Sequence, residues 1–317
     1  RPRKIDLFRS PILLVGKGVS NDYKLKSAIS FKDVIYTDAV TGIKPLTDQA
    51  IDVMFLLETL FNSTLFSYFL VNTNSSIGIE REQSHDKEDK FSIPLPLIQD
   101  INTLKSNVVE LKELYKLIDQ EEFQTGNKLE LVQKAKNIYN HLDLILLEYY
   151  GISKQENSLI DYTNNITIPL LKGSLLEKNK VIAKIPYESE YLTAYAQIFV
   201  DHFGRRFNSD VRFFEVEIVH SEHTILMKFK IILNSLQRSS TIYWTNQGDR
   251  ELLCTISKFG FEQLSTDLFL QKDIKGVEDD FFYIAKPNQY KSWHSALAYL
   301  DLSEFVEVFH SYNSNQP

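Results

Sequence analysis

The sequence predicts an α+β protein: a strand-rich recognition domain with a long helix, a helical-pair connector and a C-terminal α+β domain. Three observations predict this class. Short runs of β-branched and aromatic residues near both ends of the chain are typical of strands. Residues 97–150 instead repeat apolar positions at three- and four-residue steps, as amphipathic helices do. A polar connector before Gly173 separates these helices from the later strands, so we expect domains at 1–96, 97–172 and 173–317.

Composition limits the class of protein. The 317 residues are 43% hydrophobic and 24% charged, which is ordinary for globular domains. The single cysteine, Cys254, excludes an internal disulfide framework and a cysteine-based zinc cluster, and indicates a reducing, intracellular setting. No apolar run approaches the roughly 20 residues of a membrane-spanning helix, so we expect no membrane partner. The chain opens on Arg1 rather than Met, which is typical of a piece of a longer polypeptide.

In the first 96 residues we predict two strands, two turns and a helix. Phe8–Val15 and Ala28–Thr37 are the candidate strands, and Gly16-Lys17-Gly18 and residues 41–45 are the turns. Gln49–Phe69 carries apolar residues at helical spacing, with a bend or break expected at Asn62-Ser63. The pair Gly16-x-Gly18 is not a nucleotide-binding fingerprint, because no third glycine follows at the required distance.

The charge of the chain is unevenly distributed. The net charge is −7, which by itself argues against a nucleic-acid partner. The first 32 residues nevertheless contain eight Lys or Arg residues and two Asp residues. Affinity for phosphate depends on such local clusters rather than on the total charge. The same cluster is also compatible with an ordinary solvated surface.

Helices and strands follow one another in the remaining two thirds of the chain. Residues 97–150 predict an antiparallel helix pair, for which core packing and a partner interface both stay open. Tyr187–Phe207 is a candidate helix. Val211–Val219 and Thr224–Leu233 are strong strand candidates joined by the turn 220–223.

No complete catalytic or metal-binding set is apparent. The turn His220-Ser-Glu-His223 offers two histidines and a glutamate, but without a third well-placed ligand we predict a solvated hairpin tip rather than a metal site. A metal-dependent nuclease centre needs a Glu-x-Lys strand, and Phe214-Glu-Val-Glu-Ile218 has no such lysine. We therefore predict no catalytic residue and no metal ligand.

A segment near the C-terminus mixes cations, an amide and aromatic residues. Such a mixture, at Lys286, Gln289, Tyr290, Lys291 and Trp293, is able to stack on and grip nucleic acid. In the alternative interpretation, Tyr290 and Trp293 simply hold the last helix against its strand.

The order of several segments resembles a known family. The segments are FRSPILLVGKG, FKDVIYTDAVTGI, LETLFNSTLFSYFL, SSIGIEREQ and FSIPLPLIQDI. Together they resemble the C-terminal target-recognition region of TaqI-like and type IIG-like N6-adenine DNA methyltransferases of restriction-modification or phage-defence systems. Residues 148–162 are similar to the tail that closes many such enzymes. Residues 281–301 resemble a closing segment of methyltransferase-like proteins of bacterial defence systems.

The resemblance implies a role in reading DNA. It implies a double-stranded DNA partner, an upstream methyltransferase domain in the same chain, S-adenosylmethionine as the cofactor of the parent protein, and a bacterial cytoplasmic location. The target duplex would be positioned for base flipping and methylation by that upstream domain. The family's glycine-rich cofactor loop and its Asn-Pro-Pro-aromatic motif do not occur here, so we expect no cofactor within these residues. Whether the parent also cleaves DNA stays open.

The predicted DNA contacts combine the cationic cluster, the polar stretch after the long helix and the C-terminal segment. They are Lys17, Lys24, Lys26, Lys32, Asn72, Asn74, Ser75, Ser76, Arg81, Lys286, Gln289 and Lys291. Lysines would bind phosphates, and polar side chains on loops would read bases. The alternative function is a protein–protein assembly module of a bacterial defence complex, in which the helix pair and the C-terminal domain bind a partner subunit.

Overall fold

The computed structural model confirms the α+β class. It describes residues 4–74, 91–97, 100–120, 126–209, 212–233, 241–258 and 273–314. The chain forms two compact units, Arg1–Gly173 (unit 1) and Ser174–Pro317 (unit 2). Each unit contains one sheet and several helices within the described ranges.

Unit 1 begins with a short 3-10 turn, Ile5–Phe8, and a three-stranded sheet. The strands are β1 (Ile12–Val19), β2 (Leu25–Ser30) and β3 (Val40–Ile43). β1 lies in the centre and pairs antiparallel with both neighbours. Both strands overlap the predicted ones only in part. β1 continues through Gly16-Lys17-Gly18, so the turn predicted there is wrong. β2 shares only residues 28–30 with the predicted strand Ala28–Thr37, because residues 31–37 are not in a strand.

The predicted turn at residues 41–45 is wrong, because most of it is strand β3. Gly42 pairs with Leu14 of β1. A side chain at this position would collide with the Tyr36 hydroxyl and with the side chain of Ile12. The glycine thus marks a close approach to an aromatic ring rather than a turn.

The long helix is divided as predicted at Asn62-Ser63. Helices α1 (Ala50–Phe61) and α2 (Thr64–Thr73) meet at a bend of 71°. Ser63 begins the second helix, since its Oγ accepts a hydrogen bond from the amide of Phe66 at 3.0 Å. No single helix among the described residues is long and apolar enough to cross a membrane, although this bent pair passes the same test by length and composition.

The predicted helix pair is confirmed as α3 (Ile101–Gln120) and α4 (Gly126–Tyr149). The two helices pack against each other. Their buried residues, including Leu104, Val108, Leu142 and Leu146, belong to the same hydrophobic core as Leu13 and Leu25 of the sheet and the buried residues of α1 and α2. The predicted segments 1–96 and 97–172 therefore share one core. Helix α5 (Lys154–Tyr162), a π turn (Thr163–Thr167) and helix α6 (Ile168–Lys172) complete the unit.

Unit 2 is built on a five-stranded sheet with helices on both faces. The strands are β4 (Arg212–His220), β5 (Thr224–Leu233), β6 (Ile242–Asn246), β7 (Ile274–Val277) and β8 (Phe281–Pro287), in the order β6-β4-β5-β8-β7. The predicted β4–β5 hairpin is confirmed, and among the described strands of this sheet only the β4–β6 pair is parallel.

The helices of unit 2 are α7 (Leu175–Ile182), α8 (Glu190–Phe207), α9 (Asp249–Ile256) and α10 (Ser295–Ser314), with a 3-10 turn at Tyr290–Ser292. An aromatic-rich core joins α8 and α10 to one group of strand residues. It includes Phe199 of α8, Phe229 of β5 and Phe282 of β8. A smaller cluster joins α9 to strand residues whose side chains lie on the opposite face of the sheet, among them Val219 and Leu226.

Candidate nucleic-acid interface

The lysines of the first sheet are positioned by an irregularity in strand β1. Val15 pairs with Ser27, and Val19 pairs with Leu25. Residues 16–18 of β1 therefore face the single residue Lys26 of β2. Such a bulge lets one strand make an extra bend and redirects its side chains. The bulge brings the backbone of Lys17 opposite Lys26 at one end of the sheet.

Three of the four DNA-contacting lysines predicted within the first 32 residues lie on the surface. Lys17, Lys26 and Lys32 are exposed. The amide of Lys17 donates a hydrogen bond to the carbonyl of Ala39 at 2.9 Å, which fixes the bulge against the start of β3. The ammonium groups of Lys26 and Lys32 form no ion pair or hydrogen bond with any described residue. These two cations are accordingly free to bind an external anion.

Lys24 is placed differently from the other lysines. It is half-buried. Burial raises the pKa of Asp143, and the charge of Lys24 opposes that rise, so the two side chains interact electrostatically. The carboxylate of Asp143 also accepts a hydrogen bond from the amide of Thr64 at 3.1 Å. Lys24 therefore serves partly to balance an internal acid.

Four of the six lysines of the helix pair have acidic partners, in contrast to Lys26 and Lys32. Lys112 lies 3.1 Å from Glu58, Lys116 lies 2.6 Å from Glu113, and Lys134 lies 3.1 Å from Glu110. Lys105 is paired with Asp52. Lys136 is an exception, because it is exposed and forms no ion pair with a described residue.

The polar residues after α2 divide into two groups. Asn72 is exposed, and its Nδ2 donates to the carbonyl of Tyr68 at 2.8 Å. Asn74 ends the helix and is only 7% exposed, so its prediction as a base-reading residue is corrected: the side chain faces the protein. Ser75, Ser76 and Arg81 lie outside the described residues.

The prediction for Lys286 is corrected as well, because its ammonium is inside unit 2. Lys286 is 5% exposed and is paired with Asp301, which is 2% exposed. The rings of Tyr195 and Trp293 lie 5.4 and 5.6 Å from the ammonium. Burial lowers the pKa of Lys286, although the Asp301 carboxylate opposes this effect. A buried, paired lysine has no access to a DNA phosphate.

The residues that follow Lys286 hold unit 2 together. The Oδ1 of Asn288 accepts a hydrogen bond from the amide of Ile185 at 2.8 Å, and its Nδ2 donates to the carbonyl of Ser221 at 3.0 Å. Trp293 is fully buried and donates from Nε1 to the carbonyl of Pro287 at 3.0 Å. The alternative interpretation of Trp293, that it holds the last helix against its strand, is therefore correct. Gln289 and Lys291 are half-exposed at the edge of this arrangement.

The hairpin tip differs from the prediction at His220. This residue is buried, and its Nε2 lies 2.8 Å from the carbonyl oxygen of Ile185. The other histidine, His223, is exposed, with its Nδ1 2.7 Å from the Asp249 carboxylate.

Glu222, His223 and Asp249 offer a histidine and two carboxylates, a donor set that suits zinc. Each carboxylate already has protein partners. Hydrogen bonds from Ser221 and His223 hold the pKa of Asp249 well below its usual range, and Glu222 is 2.6 Å from Lys184. These contacts stabilise the turn between β4 and β5. Sequence spacing gave no signal for the role of Asp249.

Comparison with family models, with curated proteins and with solved structures gives no match for this chain.

Proposed function

We propose that this chain is a DNA-recognition module, in which the first sheet of unit 1 binds the phosphate backbone of a duplex. The observation that carries the proposal is the contrast between two sets of lysines. Lys26 and Lys32 are exposed and have no acidic partner among the described residues, whereas Lys112, Lys116 and Lys134 are paired. A cation without a partner releases counterions from DNA when it binds, and this release is the main source of phosphate affinity.

The bulge in β1 supports the same role. It sets exposed Lys17 opposite Lys26. Two cations on neighbouring strands match a polyanion better than a single charge does. Phosphate contacts of this kind fix the position of a duplex, and base reading is left to side chains on loops.

The proposal follows the family resemblance in assigning chemistry elsewhere. Methylation would require S-adenosylmethionine and an upstream domain of the parent protein. The present residues would hold the target duplex while that domain acts on an extruded adenine.

The test is salt-dependent binding of the 317-residue chain to a fluorescein-labelled DNA duplex of 30 base pairs, followed by anisotropy. The wild-type affinity should fall steeply as the salt concentration rises. Lys26→Gln with Lys32→Gln should reduce the steepness of the log–log salt dependence by about 1.8, since each lost phosphate contact contributes about 0.9.

The matched control is Lys116→Gln with Lys134→Gln, which changes the net charge equally but removes lysines that already have partners. This control should leave the salt dependence near that of the wild type. Equal effects of the two double variants, or no binding of the wild type at low salt, would contradict the proposal.

A specific observation also favours the alternative, a protein–protein assembly module. The helix pair carries exposed large apolar residues, among them Leu129 and Leu144, which are 62% and 61% exposed. Exposed apolar residues grouped on one element are typical of interaction surfaces. Leu129→Lys with Leu144→Lys should leave DNA affinity intact and abolish self-association or partner binding, as measured by light scattering after size-exclusion chromatography.

A further inference from the structure

Unit 2 contains a cavity of about 320 Å³ that the proposed DNA-binding function does not use. It lies at one end of the five-stranded sheet, between the C-terminal parts of α8 and α10. Small-molecule sites in proteins begin at about 300 Å³. The cavity is thus large enough for a ligand of roughly the size of a substituted benzene ring with a short chain.

The walls of the cavity are aromatic. Phe203, Phe214, Phe229 and Phe282 line it and are themselves buried. Their rings pack closely against one another; for example, the centroids of Phe229 and Phe282 are 4.7 Å apart. Such walls are held rigidly by the core, so the cavity exists before any ligand enters.

The mouth of the cavity is also apolar. Phe207, Ile231 and Val277 line it, and they are 38%, 43% and 43% exposed. These side chains come from a helix and two different strands, yet they meet at one opening. Covering them with an apolar ligand would remove their surface from water, which is favourable in proportion to the area buried.

The charges around the mouth determine which ligand fits. Glu278, Asp279 and Asp280 contribute three carboxylates, and Arg206 contributes one guanidinium. None of these four groups forms an ion pair with a described residue. These three carboxylates and one guanidinium together carry a net charge of −2. Aromatic faces attract cations as well, because their ring quadrupoles are negative at the face.

We propose that this cavity binds an organic cation: its aromatic or apolar body fills the space between the phenylalanines, and its ammonium group lies against the carboxylates of residues 278–280. The net negative charge of the mouth favours this class of ligand over an anion of the same shape. Arg206 opposes a cation only in part, since it is outnumbered by the acids.

Three probes with one apolar body and different head groups test the preference: 4-phenylbutylamine, 4-phenylbutanol and 4-phenylbutyrate. Their affinities for the full chain would be measured by isothermal titration calorimetry at low salt. The amine should bind tightest and the carboxylate weakest. Solvent-exposed charge interactions of this kind change affinity by about 3- to 10-fold in total, and the advantage of the amine should shrink at high salt.

Two pairs of variants locate the site. Asp279→Asn with Asp280→Asn should remove most of the amine's advantage over the alcohol, whereas Glu130→Gln with Glu251→Gln, which neutralises two exposed acids outside the cavity, should not. Ile231→Trp places a large ring at the mouth and should abolish binding of all three probes. Leu233→Trp, at an exposed position of the same strand that does not line the cavity, should leave binding unchanged. Circular dichroism melting of each variant verifies that it folds.

Several results would overturn the proposal. They are equal affinity for the three probes, tightest binding of the carboxylate, absence of binding for all three, or equal losses in Ile231→Trp and Leu233→Trp when both variants fold. Each outcome is independent of whether the chain binds DNA.

Discussion

Replacing Asp301 by asparagine should destabilise unit 2 strongly, because it leaves a buried ammonium without its carboxylate. In the wild type, Asp301 is paired with Lys286 and lies 2.6 Å from the ammonium of Lys275. In Asp301→Asn, the oxygen partners left to Lys286 among the described residues are neutral: the amide oxygen of the new side chain and the Tyr195 hydroxyl, 3.4 Å away. Breaking a buried ion pair from one side costs about 3–5 kcal/mol.

The reverse substitution should cost less. In Lys286→Met, the Asp301 carboxylate keeps Lys275 and the Tyr195 hydroxyl as partners. Loss of one hydrogen bond to a charged group that keeps its other partners costs about 1.5–3 kcal/mol. Asp301→Asn should therefore be the more damaging of the two changes.

The two variants also differ in their pH dependence. Burial already lowers the pKa of Lys286 below the ordinary value of 10.5, and removal of the carboxylate lowers it further. A group whose folded pKa is depressed costs stability as the pH falls below its unfolded pKa. The difference in the free energy of unfolding between the wild type and Asp301→Asn should therefore decrease as the pH rises from 6 to 9, by at most about 1.4 kcal/mol per pH unit. Lys286→Met lacks the titrating amine and should show no such decrease.

The assay is urea unfolding followed by tryptophan fluorescence. The chain has two tryptophans, Trp244 and Trp293, and both lie in unit 2, so the signal reports on that unit. The reasoning is refuted if Asp301→Asn costs no more than Lys286→Met at pH 7, or if its deficit stays constant with pH.

Three further predictions concern the cores and caps. Burial raises the pKa of Glu58 above 4.5, although Lys112 opposes the rise. The contribution of Glu58 to the free energy of unfolding is therefore complete below pH 4.5 and is lost as the pH rises through the folded pKa. Glu58→Gln should reduce this loss of stability with pH in chemical denaturation followed by circular dichroism, and an unchanged pH dependence would contradict the prediction. Ser63→Ala removes the acceptor for the Phe66 amide and should cost about 1 kcal/mol, seen as faster hydrogen exchange at the start of α2. Phe229→Ala should destabilise unit 2 by about 3–5 kcal/mol in the fluorescence assay, since this ring is 1% exposed; a loss below 1 kcal/mol would show that the core closes over the gap.

Local patterns in the sequence were sufficient to predict those helices and strands that are determined by neighbouring residues. The helix pair follows from apolar residues at helical spacing, and the break at Asn62-Ser63 follows from a capping residue. The β4–β5 hairpin follows from two β-branched and aromatic runs around a short polar turn. Strand β3 was missed because it has four residues and contains Gly42, whose reason for being glycine is the ring of Tyr36.

The candidate site was less accessible to sequence reasoning, because charge pairing is set by contacts between distant residues. Lys286 resembles a surface cation among polar neighbours, yet Asp301, one helix later, neutralises it in the core. His223 has Glu222 in its own turn at 3.9 Å, and Asp249 supplies a closer partner at 2.7 Å from the start of α9. By contrast, the exposure of Lys26 and Lys32 depends on local sequence, in and just after one strand, and the structure does place both on the surface.

The strand order of unit 2 has a consequence for how the chain reaches its fold. β4 and β5 are joined by a three-residue turn, so their pairing closes almost no loop. β8 pairs with β5 only after the chain has passed through β6, α9 and β7. Distant pairings form slowly because chain entropy is lost before they stabilise anything. We therefore expect the hairpin to form early and the docking of β8, followed by burial of Trp293, to limit the refolding rate of the unit.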